Sequence, residues 1–137
     1  MKVAECMTRD VKMVRPETTL QDAARTMTDS DIGSLPVSDG DRLVGMVTDR
    51  DIVTRAVCEG KGPETPVRDV MTDDVKYCFE DQDIGEIASN MADIQLHRLP
   101  VVNRDKRLVG IIALADVAVA ASTQTAGKAV SGISQGV

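Results

Sequence analysis

The stretch "LPVSDGDRLVG", Leu35–Gly45, returns later in the chain as "LPVVNRDKRLVG", Leu99–Gly110. Each version is a short apolar run carrying a proline, then a polar turn, then a second apolar run that ends on glycine. Working outward, a shift of 64 residues, rising to 65 after one insertion near Lys106, also lays "MTRDVK" (Met7–Lys12) on "MTDDVK" (Met71–Lys76). From Met7 to Asp51 the two copies share 17 identities in 45 positions, where average residue usage would give about three. The chain is a duplication.

Each copy reads the same way. An extended piece comes first, Val11–Arg15 and then Val75–Phe79. Thr19 with Asp22, and Asp83 with Glu86, have the spacing of a capping box and mark helix starts. Leu20, Ala23, Ala24 and Met27 follow one helical face, as do Ile84, Ile87, Ala88 and Met91. Methionines also suit adaptable binding surfaces, but here they continue an apolar stripe and read as core. Two short strands follow around the turns "SDGD" and "NRDK", with each proline suited to a strand end or edge. A second helix closes each copy, Asp51–Val57 and Asp116–Ala121.

The fold class expected is therefore α+β, two β-α-β-β-α repeats packed with pseudo-two-fold symmetry. Neither repeat is large enough to close its own core comfortably, so the two are expected to share apolar surface. The boundaries are 1–60 for repeat 1 and 61–121 for repeat 2, with a small, polar tail over 122–137. "CEGKGPETP" (Cys58–Pro66) reads as the linker.

Composition narrows the function. Of 137 residues, 42% are hydrophobic and 28% charged, which suits a globular protein. With one Tyr, one Phe and no Trp, the core must be aliphatic. A net charge of −6 disfavours nucleic acid as a partner. No apolar run reaches membrane-spanning length, and the first residues lack a signal-peptide core, so the expected location is cytoplasmic. Cys6, Cys58 and Cys78 form no C-x-x-C pair, and His97 is the one histidine. They are read as small buried or half-buried residues, with no metal site.

No catalytic constellation is visible, and the chain is not expected to be an enzyme. Two polar groupings stand out. The first is "TDRD", Thr48–Asp51, at a strand-to-helix junction. Asp51 can accept two hydrogen bonds from a ribose cis-diol, Thr48 can bond a ribose or phosphate oxygen, and Arg50 can neutralise phosphate charge. Equally, Thr48 or Asp51 can cap the following helix. Repeat 2 keeps Asp116 but has Ala113 and Ala115 beside it, so capping is the better reading there. The second grouping is "HR", His97–Arg98, where repeat 1 has Gly33 and Ser34. A lone histidine is more often structural. A His–Arg pair entering an apolar strand of an acidic chain points to a phosphate.

The ordered, twice-repeated motifs MT-x-D-V, LPV-x-(D/N) and G-h-h-(T/A)-x-x-D, with h apolar, resemble a tandem pair of CBS domains, a Bateman module, over Met1 to about Ala121. The resemblance implies a regulatory module that binds an adenosine ligand: AMP, ADP or ATP, or alternatively NAD or S-adenosylmethionine. It implies a main cleft using Thr48, Arg50 and Asp51, then Val75, Lys76 and Tyr77 along the base, and His97, Arg98 and Pro100 at the phosphate. A weaker second cleft would use Val11, Lys12, Met13, Gly33, Ser34 and Asp116. It also implies a homodimer and a client protein. The competing reading is a dimeric interaction scaffold that binds no ligand; a nucleotide hydrolase is the least supported.

Overall fold

The computed structural model describes residues 1–94 and 97–120. The expected tail, 122–137, and Ala121 lie outside the described residues, as does the side chain of Met91. In chain order the elements are α1 (Leu20–Ser30), β1 (Ser34–Asp39), β2 (Arg42–Thr48), α2 (Asp49–Ile52) running into a π turn (Val53–Val57), β3 (Cys78–Phe79), α3 (Ile84–Ile94), β4 (Arg98–Val102) and β5 (Leu108–Ala113). Residues 114–120 form α4. No helix of the described residues is long and apolar enough to cross a membrane.

The chain forms two compact units. Among the described residues, the first holds Val11–Lys76 with Asp105–Leu108; the second holds Met1–Asp10, 77–94, 97–104 and 109–120. Each repeat thus lends its opening residues to the unit built on the other. The pattern is the same both times. In the first unit the Val67 amide donates to Thr18 O and the Arg68 amide to Pro16 O, while Met46 and Thr72 exchange both backbone bonds. In the second, Val3 donates to Gln82 O and Ala4 to Glu80 O, while Thr8 and Ile111 exchange theirs.

The borrowed segment closes the core. Val67 and Val70 are buried with Val14, Leu20, Ala23, Met27, Leu35, Val37, Val47 and Ala56. Val3 and Met7 are buried with Cys78, Ile84, Ile87, Leu99, Val101, Ile112, Val117 and Ala120. Each core is aliphatic, as the composition requires.

β1 and β2 pair antiparallel, with Ser34 opposite Thr48 and Leu35 opposite Val47, and with a register shift between Val37 and Ser38. Val14 bridges Val37, so of Val11–Arg15 a single residue is bridged to the sheet. The second sheet runs in the order β3-β4-β5, with β3 parallel to β4. The inserted residue of repeat 2, Lys106, adopts a left-handed backbone at φ 61°, where repeat 1 turns on Gly40 at φ 65°.

The helix starts differ in detail from the sequence reading. Thr19 Oγ1 accepts from the Asp22 amide at 3.2 Å. The remaining first-turn amides are capped by the linker: Leu20 donates to Thr65 O and Gln21 to Pro63 O. In repeat 2 Asp83 accepts from the Gly85 amide at 3.0 Å, Ile84 donates to Met1 O, and Glu86 is engaged by Gln82. A linker rich in Gly and Pro is therefore pinned along α1, its carbonyls meeting amides that a helix start leaves open. Thr19→Ala is expected to cost about 1 kcal/mol, the usual worth of an N-cap, read as a lower midpoint in chemical denaturation. Unchanged stability would mean that the linker carbonyls alone satisfy this helix start.

The cysteines divide. Cys78 is buried, Cys6 half-buried and Cys58 exposed, so the expectation of burial fails for Cys58, which sits on the surface just beyond the π turn. Burial pushes the Cys78 thiol up to about 12. Burial, helped by the charges of Asp116 and Glu5, also raises the Cys6 thiol.

Candidate functional site

The junction between β2 and α2 is a reciprocal capping box. Thr48 Oγ1 accepts from the Asp51 amide at 3.0 Å, and Asp51 Oδ2 accepts from the Thr48 amide at 3.0 Å. The box leaves chemistry over. The Thr48 hydroxyl proton has no acceptor among the described residues. Among the described residues Asp51 Oδ1 accepts no hydrogen bond and faces Arg55 Nε at 3.9 Å. A carboxylate offers about four lone-pair sites, so the cap does not exhaust Asp51. Its side chain is 16% exposed, open enough to meet a ligand.

For Asp51 the sequence leaves capping and ligand binding open, and for Asp116 it favours capping. The geometry reverses the second point. Asp51 caps, whereas among the described residues no hydrogen bond engages the exposed carboxylate of Asp116. Ala113 removes the hydroxyl half of the reciprocal pair; its amide remains, and the Asp116 carboxylate does not engage it.

Gly33 and Ser34 lie at the same sheet end as Thr48. Ser34 pairs with it across the sheet, and the Asp49 amide donates to Gly33 O at 3.0 Å. The second unit repeats this bond, with the Leu114 amide donating to His97 O at 2.7 Å. The neighbour of this glycine is the exposed Asp49 side chain. A Cβ on Gly33 would press on Asp49 Oδ2 at 3.1 Å, whereas repeat 2 has Leu114 in that place and carries His97. Asp49 was not singled out from the sequence, where it is one more acidic residue in "TDRD".

Val11–Met13, Gly33, Ser34, Thr48, Arg50, Asp51, Val75 and Lys76 belong to the first unit; Tyr77, His97, Arg98, Pro100 and Asp116 belong to the second. Arg50 and Lys76 are exposed and Val75 is half-buried. Lys12 is exposed, and Met13 Sδ accepts from the buried Ser38 hydroxyl at 2.8 Å. His97 is exposed and Arg98 half-buried; among the described residues neither side chain has a hydrogen-bond partner. Tyr77 stands edge-on to Phe79, with ring centroids 5.7 Å apart. Pro100 is buried in β4.

Arg55 is a residue the sequence reading passed over. Its Nη1 donates to Val70 O at 3.3 Å and to Met71 O at 3.4 Å. No pattern in sequence marks a guanidinium that reaches across fifteen residues to backbone carbonyls.

The two units define a duplicated α+β protein with a polar strand-to-helix junction in repeat 1 and a cationic strand start in repeat 2. A family model described as CBS domain matches residues 3–57 and 67–122, and the chain belongs to that family. It is 38% identical over 133 residues to the CBS domain-containing protein YhcV of Bacillus subtilis, covering 96% of this chain and 94% of that one. It is 39% identical over 116 residues to Hypoxic response protein 1 of Mycobacterium tuberculosis, covering 83% and 80%.

Among solved structures it resembles Hypoxic Response Protein I with two coordinated zinc ions, at TM-score 0.77 and 37% identity, covering 86% of this chain and 97% of that one. It also resembles CBSX2 in complex with AMP, at TM-score 0.79 and 28% identity, covering 90% and 98%. Among the described residues of this chain, no group of three or more His, Cys, Asp or Glu side chains is placed to hold a metal ion.

Proposed function

We propose that the chain is a non-catalytic regulatory module that binds an adenosine-containing ligand, with AMP, ADP or ATP ahead of NAD and S-adenosylmethionine. The observation that carries this is the Thr48–Asp51 box, which fixes both side chains yet leaves a carboxylate oxygen and a hydroxyl proton to offer. The likeness to CBSX2, described in complex with AMP, supports the ligand class.

In this reading the ribose is assigned to Asp51 and Thr48, the base to Val75, Lys76 and Tyr77, and the phosphate side to Arg50, His97, Arg98 and Pro100. A chain of net charge −6 needs such local cations to hold an anion. The weaker set, Val11, Lys12, Met13, Gly33, Ser34 and Asp116, lacks them apart from Lys12. The protein acts in the cytoplasm as a homodimer that signals ligand occupancy to a client protein.

Calorimetric titration with AMP, ADP, ATP, NAD and S-adenosylmethionine tests the reading. At least one should bind tighter than about 1 mM, the −4 kcal/mol class, at one site per chain. Binding of none overturns it, and two equal sites overturn the account of Ala113 and Ala115.

One observation favours the ligand-free scaffold as a second reading. Val53 and Val57 are 54% and 66% exposed, beside a groove of about 440 Å³ lined in part by Leu20, Ala24, Ile52 and Pro63. Dimerisation that is indifferent to all five ligands, together with failure of all five to bind, would favour it.

A further inference from the structure

We propose that Arg55 is a positioning residue that ties the ribose carboxylate to the chain segment leading to the base-bordering residues. The proposal rests on the assignment of Asp51 to ribose and of Val75 and Lys76 to the base.

The geometry lies within one unit. Arg55 stands four residues after Asp51, so both side chains lie on one helix face, with Arg55 Nε 3.9 Å from Asp51 Oδ1. The helix widens there into a π turn, Val53–Val57, in which the Cys58 amide reaches Val53 O at 3.0 Å. Such turns are rare and concentrate at functional sites. From this turn Arg55 Nη1 reaches Val70 O and Met71 O at 3.3 and 3.4 Å. The next residue, Thr72, is locked to Met46 by two backbone bonds, and Val75 and Lys76 follow. One guanidinium therefore faces Asp51 Oδ1 at 3.9 Å with one end and bonds the carbonyls of the segment that leads to Val75 and Lys76 with the other. A planar fork with several donors in fixed directions is suited to such bridging, and a lysine ammonium is not.

The duplication supplies an independent observation. The 65-residue shift lays Arg55 on Ala120, whereas burial matches Ala120 to Ala56 and the exposed Arg55 to the exposed Val119, so repeat 2 has no arginine at either position. The second unit's core closes without one. Arg55 thus belongs with Thr48 and Arg50, polar residues that repeat 1 has and repeat 2 replaces with apolar ones. The bridge has a mechanical consequence. A diol bonded to Asp51 Oδ1 steadies the carboxylate that Arg55 faces, and Arg55 passes that restraint to the Val70 and Met71 carbonyls. Ribose binding would then tighten residues 70–76.

The Arg55 side chain is about half exposed and outside the core, so Arg55→Ala is expected to fold; Arg55→Lys keeps the charge and loses the fork. Both are titrated with AMP by calorimetry, and backbone hydrogen exchange is followed with and without AMP. The expected result is about fivefold weaker AMP binding for Arg55→Ala, with little rescue by Arg55→Lys. AMP should slow exchange over residues 70–76 in the parent protein, and Arg55→Ala should lose that slowing while keeping the slowing at Thr48–Asp51. An Arg55→Ala variant that binds AMP as the parent does, with the same slowing over residues 70–76, overturns the proposal alone. If the parent binds none of the five adenosine ligands, the ribose assignment falls and this proposal falls with it.

Discussion

Asp51→Asn should weaken AMP binding by ten- to a hundredfold and leave the thermal midpoint close to that of the parent. The substitution separates two roles that Asp51 fills at once. Its Oδ2 accepts from the Thr48 amide, and an asparagine oxygen can do the same, so the cap survives. The other side of the group changes from an anionic acceptor to a neutral donor. A ribose diol brings two hydroxyl protons and needs acceptors, and hydrogen bonds to a charged group contribute about 1.5–3 kcal/mol, or roughly ten- to over a hundredfold in affinity. Asp51→Ala would mix the two effects, because it also uncaps the helix at about 1 kcal/mol. Thr48→Ser keeps hydroxyl and cap and should bind nearly as the parent does. Calorimetry reads the affinity, and a thermal melt reads the cap. An Asp51→Asn variant that binds AMP like the parent makes Asp51 a helix cap and nothing more.

The capping box shows what could be read from sequence and what could not. The T-x-x-D spacing announced a junction, and both roles for Asp51 were visible in it. That Asp116 would not cap was not legible, because Ala113 removes the hydroxyl half of the pair and keeps the amide that the carboxylate half uses. The strand pair, the helix faces and both aliphatic cores follow from periodicity, because burial selects apolar residues at fixed spacing whatever lies opposite.

Partnership was not legible. Met7-Thr8 and Met71-Thr72 are identical pairs, and Gly45 and Gly110 sit in near-identical strands. Nothing in the letters says which pair meets which glycine. The structure joins each pair to the glycine of the other repeat. The bonds involved are backbone bonds, which carry no residue signature. The same holds for the linker carbonyls that cap α1 and for those that Arg55 holds.

The glycines carry the largest stability prediction. A Cβ on Gly110 would stand 2.5 Å from Met7 Sδ, 2.9 Å from Met7 Cγ and 3.0 Å from Thr8 O. The methionine side chain can swing away, since it is long and adaptable. The Thr8 carbonyl cannot, because Thr8 and Ile111 exchange backbone bonds of 2.8 and 2.9 Å, and moving one residue strains both. Gly110→Ala therefore overpacks a site fixed by the ladder, and a cost of about 1–3 kcal/mol is expected, seen as a thermal midpoint several degrees lower. Gly45→Ala should behave alike, because its Cβ would meet Met71 Sδ at 2.7 Å and Thr72 O at 3.0 Å. Met7→Ala alone opens a cavity in the core of the second unit. Combined with Gly110→Ala it should cost less than the two single losses added, by roughly 0.5 kcal/mol or more, because the clash with sulfur is removed once and not twice. The shortfall should be incomplete, since Thr8 O remains in the way. If Gly110→Ala melts with the parent protein, the approach of the Met7-Thr8 backbone is not what requires glycine there. The recurrence of that residue at the end of "RLVG" would then need a cause outside the ladder.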